Sequence, residues 1–103
     1  MANQGIIEVE GLPEHPLDAA AHFHTVFVPR VRSMATTGGV VVILPHADHT
    51  HSAWRLAAVQ ELAREAVPNR VNAVEGEEEA AVSDTLFYLQ SADGVTGQVF
   101  TLA

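Results

Sequence analysis

Four side chains capable of metal or acid–base chemistry lie close together between residues 46 and 51. They are His46, Asp48, His49 and His51. Imidazole and carboxylate groups are common ligands of zinc and of several other divalent metals, and imidazoles can also relay protons near neutral pH. The segment follows an apolar run, which is where active-site loops often lie. The pattern allows two interpretations: a site for a metal or for proton transfer, and a solvated polar loop. We favour the loop.

Two further groups of ionisable residues have structural interpretations. His22 and His24 lie two residues apart in a predicted helix, so they point to different faces and cannot form a metal pair at i, i+4 spacing. We expect them at the surface or at an interface. Glu75 and Glu77–Glu79 form an acidic run that is either a docking patch or a solvated helix start. Its position before a predicted helix favours the helix start.

The elements that position these residues alternate regularly between strand and helix. Val40–Leu44 is a continuous, mostly β-branched run, typical of a strand buried on both faces of a parallel sheet. Pro16 suits the first turn of a helix, whereas Pro29 should kink or break that helix and leave Arg30–Ala35 as a final turn. The predicted strands are Ile6–Glu10, Val40–Leu44, Arg70–Val74 and Gln98–Leu102, and the predicted helices are Pro16–Val28, Ser52–Val67 and Glu77–Ala92.

The order β-α-β-α-β-α-β predicts one α/β domain over residues 1–103. We expect a truncated Rossmann-like arrangement of two or three layers, with a four-stranded, mostly parallel sheet and about three helices. Crossovers between parallel strands are nearly always right-handed, so strands in sequential order require the first two helices to cover the same face. At most one helix is left for the other face, where apolar sheet should remain exposed.

The charge balance restricts the classes of partner. The chain of 103 residues carries a formal net charge of −8, and all five basic residues are arginines because the sequence contains no lysine. This charge repels phosphate backbones and anionic lipid surfaces, so we expect neither nucleic acid nor a membrane as a partner. No apolar run approaches the roughly 20 residues of a membrane span, and the first residues lack the pattern of a signal peptide. The expected location is the cytoplasm.

Several short motifs occur in the order and spacing of a known family. They are Pro29–Arg32, Gly38–Ile43, Leu62–Glu65, Arg70–Val74, Phe87–Ser91 and Thr96–Val99. Together they resemble the second half of the short-chain dehydrogenase/reductase fold, from its fourth strand to its seventh. The resemblance implies a Rossmann-like half-domain.

Enzymes of that family use a Tyr-x-x-x-Lys pair and a glycine-rich dinucleotide loop, and the sequence contains neither. The chain has no lysine, and its only tyrosine, Tyr88, is followed four residues later by Ala92. Its seven glycines form no cluster after a first strand, where backbone N–H groups would meet a pyrophosphate. We therefore predict a pseudoenzyme with no catalytic residues and no cofactor.

The first two helices are apolar around more of their circumference than one sheet contact needs. On Ser52–Val67 the strongly polar residues Gln60, Glu61, Arg64 and Glu65 cluster on a narrow arc. A sheet contact requires an apolar stripe of only about 100°. The resemblance implies that these two helices build a four-helix dimer interface. We predict an oligomerising or accessory interaction module, either a homodimer or a subunit that docks on a full-length dehydrogenase or another protein. The alternative is a small metal-binding protein or enzyme that uses His46, Asp48, His49 and His51, which we call the histidine loop. The predicted interface residues are His22, Val26, Trp54, Ala57, Ala58 and Leu62.

Overall fold

The computed structural model describes residues 4–103. Its four strands form one parallel sheet in the order β1-β2-β3-β4, which confirms the predicted α/β class and the four-stranded sheet. Three helical segments connect the strands, and the first of them consists of α1, a π-helical turn and α2. The strands are β1 Gln4–Glu8, β2 Gly39–Leu44, β3 Val71–Glu75 and β4 Val99–Thr101; the helices are α1 Pro16–His22, α2 Val28–Ala35, α3 Ser52–Ala66 and α4 Glu79–Ser91, with the π-helical turn at Phe23–Phe27 and a 3₁₀ turn at His49–His51.

The two faces of the sheet are covered unequally. Val40, Val42 and Leu44 of β2 point to the face packed by the first helical segment and α3, and Val41 points to the face packed by α4. The first two helical segments thus share a face, as predicted. Because α4 lies on the opposite face while β4 extends the sheet in the same direction, the last crossover has the opposite hand to the first two. Ile6 of β1 is 47 % exposed on the α4 face, which agrees with the predicted exposure of apolar sheet.

The sequence predicts a kink or a break of the first helical segment at Pro29. The segment stays helical through Pro29, so the break is wrong, but the regular α-helix is interrupted just before the proline. Before the proline the helix widens into the π-helical turn, in which the Val28 N–H donates to the carbonyl oxygen of Phe23, five residues earlier. Pro29 then occupies the first turn of α2, where the N–H that proline lacks needs no partner. Phe23 and Phe27, at the two ends of the turn, are buried and stacked, with ring centroids 6.0 Å apart. The expectation that proline breaks a helix considers only the local backbone. Burial of these two rings adds tertiary stabilisation that keeps the segment helical.

Most of the buried apolar side chains lie between the sheet and the helices that precede α4. A smaller cluster on the other face joins Val41, Val74 and Leu89, the last of which is the buried residue of α4. Among the helices described in residues 4–103, none combines the length and the apolar character needed to cross a membrane. The side chains of the main core with at most 1 % exposure are Phe23, Val31, Val40, Val42, Leu44, Val59, Val71 and Ala73.

Candidate functional site

The histidine loop connects the carboxyl end of β2 to the start of α3. His46, Asp48 and His49 are exposed, whereas His51 is only 6 % exposed. The His46 backbone N–H donates to a carboxylate oxygen of Glu77, 3.0 Å away, and this bond ties the loop to the segment before α4. The four predicted metal ligands therefore divide between the surface and the interior.

His51 is held inside the protein by both of its ring nitrogens. Its Nε2 lies 3.0 Å from the carbonyl oxygen of Glu14, so Nε2 carries the hydrogen and donates it. Nδ1 then accepts the indole N–H of Trp54 at 3.0 Å. A metal would have to displace one of these bonds to reach the ring. Within residues 4–103 no group of three or more His, Cys, Asp or Glu side chains is placed to hold a metal ion. The predicted ligands adjoin in sequence but do not converge in space.

Asp48 caps the 3₁₀ turn that leads into α3. Its carboxylate accepts the Thr50 hydroxyl and, at 2.9 Å, the Thr50 backbone N–H. The hydroxyl bond is the main cause, followed by the backbone bond, of a pKa for Asp48 that lies below its ordinary value of 3.8. The carboxylate thus has a structural role at the entrance to the helix.

The cap should make part of the protein's stability depend on pH. A carboxylate whose pKa is lowered in the folded state stabilises the fold above its unfolded pKa, and this contribution is lost as the pH falls through the folded pKa. We expect wild type to be more stable than Asp48→Asn at neutral pH, and we expect the difference to disappear well below the ordinary pKa of 3.8. Urea denaturation followed by circular dichroism at several pH values measures it. A difference that persists unchanged in acid would contradict this role of the carboxylate.

A buried arginine, Arg55 of α3, is the charged group that the sequence pattern did not identify. Its side chain is 2 % exposed, and Nη1 donates to Glu75 Oε2 at 2.9 Å and to the Pro45 carbonyl oxygen at 2.8 Å. Glu75 also accepts the Thr101 hydroxyl at 2.7 Å. This cluster joins the carboxyl ends of β2, β3 and β4, the edge at which open α/β sheets bind ligands. Arg55 Nη1, Glu75 and Thr101 bond to one another here, so the cluster fastens the sheet edge, although the buried Arg55 Nε has no hydrogen-bond partner among the described residues. One feature of the sequence could have indicated this buried charge: Arg55 lies on the otherwise apolar side of α3.

The acidic run before α4 serves mainly to start that helix. The Glu78 carboxylate accepts the backbone N–H groups of Ala80 at 3.3 Å and Ala81 at 2.6 Å. Glu79 lies in the first turn, where negative charge is favourable. These contacts agree with the predicted helix start. Two residues of the run have other partners: Glu77 bonds to the histidine loop, and Glu75 bonds to Arg55 and Thr101.

A groove of about 550 Å³ between α2 and α3 contains much of the predicted interface. We call it the helix groove. Trp54 is half-buried and Ala57 is exposed at its surface. Ala58 and Leu62 also line it, but they are only 5 % and 7 % exposed and belong to the core. These two predicted interface residues therefore form the floor of the groove.

The first helical segment contributes different residues to the helix groove from those predicted. His22 and Val26 are half-buried and lie outside it, whereas His24, Val28 and Arg32 line it. For Val26, which lies within the π-helical turn, the turn is the physical reason, whereas His22 lies before it in α1. A turn with bonds between residues five apart changes the angular position of the residues within and after it, relative to a regular α-helix.

The motif around Asn72 holds the last strand in place. Asn72 is buried, its Nδ2 donates to the Val95 carbonyl oxygen at 3.0 Å, and its Oδ1 accepts the Gln98 N–H at 3.1 Å. Between these partners Gly97 has a φ of +72°, a left-handed conformation that glycine adopts at low cost. Both residues thus have structural roles in the connection from α4 to β4.

Comparison with protein families gives a match over almost the whole chain. Residues 7–102 match the model of the SDR-like family, which is described as short chain dehydrogenase-like protein. No curated protein matches the chain at a significant level. The matched range includes the end of β1, the other three strands, the Asn72 connection and both sides of the helix groove. The resemblance seen in the sequence motifs is thereby confirmed, and the chain belongs to the SDR-like family of short chain dehydrogenase-like proteins.

Proposed function

We propose that this chain is a non-catalytic SDR-like protein that acts as an interaction module and forms a homodimer through the helix groove. The observation that carries the proposal is the groove itself. It is an apolar depression of about 550 Å³ on the face of the sheet that α2 and α3 cover. Trp54 offers a large aromatic side chain of the kind that anchors interfaces. Next to it, the small side chain of Ala57 allows a second helix to approach closely.

The residues that would perform dehydrogenase chemistry support a non-catalytic role. The 103 residues include no lysine, so a Tyr-x-x-x-Lys pair cannot form within them. Tyr88 lies on α4, is 54 % exposed and meets the ring of Phe100 edge-on at 6.5 Å between centroids. At the carboxyl ends of the strands the Glu75 carboxylate is occupied by Arg55 Nη1 and the Thr101 hydroxyl.

The charges that border the helix groove favour a second copy as its occupant. Arg32 and Glu65 meet at 2.6 Å, and Arg64 and Glu61 meet at 3.1 Å. All four side chains are more than half exposed, so they can exchange partners with the same pairs of another copy. A two-fold interface brings a surface against itself, and a surface with equal numbers of arginines and glutamates is self-complementary. A full-length dehydrogenase that docks in the same groove is the alternative occupant.

Introduction of a charge into the groove should dissociate the dimer. We expect wild type to sediment as a dimer at micromolar concentration and Ala57→Glu to raise the dimer Kd by at least about tenfold, because a buried, unpaired carboxylate is costly. Sedimentation equilibrium across a concentration series measures both constants. Circular dichroism verifies that the variant remains folded.

Ala80→Glu is the matched control, because it adds the same charge at an exposed helical alanine on the α4 side of the sheet. It should leave the dimer Kd unchanged. A monomeric wild type, or a dimer that responds equally to both variants, would overturn the proposal.

A further inference from the structure

A second groove lies on the opposite face of the sheet from the helix groove. It has a volume of about 630 Å³ and runs beside α4 over β1 and β2. Ile6 and Ile43 form its floor, and Val82 and Leu86 of α4 form one wall. We call it the sheet groove. Ile6 remains 47 % exposed there, because α4 packs against the part of the sheet formed by β2, β3 and β4. The sheet groove is therefore an apolar surface that no described element covers.

The charge in the sheet groove comes from carboxylates alone. Glu8 and Glu10 lie on the β1 side, and Glu77 and Glu79 lie on the α4 side. All four are exposed. Among the described residues that line the groove there is no arginine or histidine. The register of β1 with β2 places Glu8 beside Ile43 on the same face of the sheet, so the carboxylates of the β1 side and of the α4 side meet the apolar floor at the carboxyl end of the strands. We call these two pairs of glutamates the acidic borders, and the complementary ligand carries an apolar stripe flanked by cations.

A second copy of this chain lacks the cations to match these borders. Arg55 is buried, and Arg70 donates to backbone carbonyl oxygens at the end of α4. Arg32 and Arg64 lie at the helix groove, on the other side of the sheet, and each is matched by a neighbouring glutamate, so that surface carries no net positive charge. Of the five arginines, all within the described residues, this leaves Arg30. A different protein with more positive charge is therefore a better match to the acidic borders than a second copy.

We propose that the sheet groove binds a basic amphipathic helix of a partner protein. Apolar residues at i, i+3, i+4 and i+7 of such a helix form a single stripe that can cover Ile6 and Ile43. The helix would lie beside α4 at the usual separation of roughly 8–10 Å. Lysines or arginines on its two flanks would then face the acidic borders. Nucleic acid and anionic lipid carry the same sign of charge as the groove and are repelled.

This inference rests on the proposed role of the chain as an interaction module, but not on the dimer. The helix groove and the sheet groove lie on opposite faces of the sheet. Ala57→Glu should therefore dissociate the dimer and leave binding at the sheet groove unchanged. Measurement of both properties on the same variants shows which of the two proposals fails.

A synthetic peptide with leucines at i, i+3, i+4 and i+7 and lysines at the other positions provides the probe. Its binding to the full chain is followed by fluorescence anisotropy, beside a matched peptide with glutamates in place of the lysines. We expect the lysine peptide to bind and the glutamate peptide not to bind. Ile6→Asn should raise the Kd of the lysine peptide at least about tenfold. Leu17→Asn, at a residue of α1 that is 85 % exposed, should not change it.

A pair of double variants separates a local effect of the acidic borders from an effect of net charge. Glu8→Gln/Glu10→Gln should raise the Kd about tenfold. Glu14→Gln/Asp18→Asn removes the same charge from other exposed positions and should leave the Kd nearly unchanged. Equal weakening by the two double variants, or no binding to wild type, would overturn the proposal. So would an Ile6→Asn variant that alters self-association instead of peptide binding, because a second copy would then occupy the groove.

Discussion

Replacement of Arg55 by alanine is expected to lower the free energy of unfolding by about 3–5 kcal/mol. The Arg55 side chain is 2 % exposed and donates to both Glu75 and the Pro45 carbonyl oxygen. Its removal leaves the Glu75 carboxylate, which is 14 % exposed, without its cation. The same change deprives the Pro45 carbonyl oxygen of its donor. Urea denaturation monitored by circular dichroism at neutral pH measures the loss.

Two comparisons identify burial as the cause of this expected loss. Arg32→Ala breaks an ion pair with Glu65 of similar geometry, but both side chains are more than half exposed, so the loss should be less than about 1 kcal/mol. Arg55→Met/Glu75→Gln removes both charges of the buried pair and should cost less than Arg55→Ala. If Arg55→Ala and Arg32→Ala had equal effects, the cluster would not fasten the sheet edge as described.

The sheet could be predicted from the sequence because its signal is local. Burial on both faces of a parallel sheet requires apolar residues at every position of a strand, and Val40–Leu44 satisfies this requirement. The observed β2 contains that run and begins at Gly39. The faces of the first two helical segments could also be predicted, because the handedness of parallel crossovers permits few arrangements.

The features that could not be predicted depend on contacts between distant residues. Continuation of the first helical segment through Pro29 depends on the burial of Phe23 and Phe27 against the sheet and α3. Arg55 was not identified as a buried charge because its partner, Glu75, lies 20 residues further along the chain. Their proximity follows only once α3 and β3 are packed together.

The histidine loop shows the same limit for a candidate site. The metal-site hypothesis rested on the short distance along the sequence between His46 and His51. Sequence spacing within a loop does not determine the direction in which a side chain points. His51 turns inward because Glu14 and Trp54 satisfy its two ring nitrogens. Glu14 precedes α1 and Trp54 follows the loop, so the deciding contacts come from outside the four-ligand pattern.

Replacement of Phe23 by alanine should lower the free energy of unfolding by about 3–5 kcal/mol, the range for loss of a buried aromatic ring. Phe23 is 1 % exposed and packs against Phe27 at 6.0 Å and Trp54 at 5.4 Å between ring centroids. Its loss removes contacts that hold the π-helical turn and support one wall of the helix groove. Denaturant unfolding measures the change, with Phe87→Ala as the control. Phe87 is 75 % exposed, so its loss should change stability by less than about 0.5 kcal/mol. The packing of Phe23 indicates that its ring contacts stabilise the π-helical turn. If the two variants were equally stable, backbone hydrogen bonds alone would hold the turn and this interpretation would be wrong.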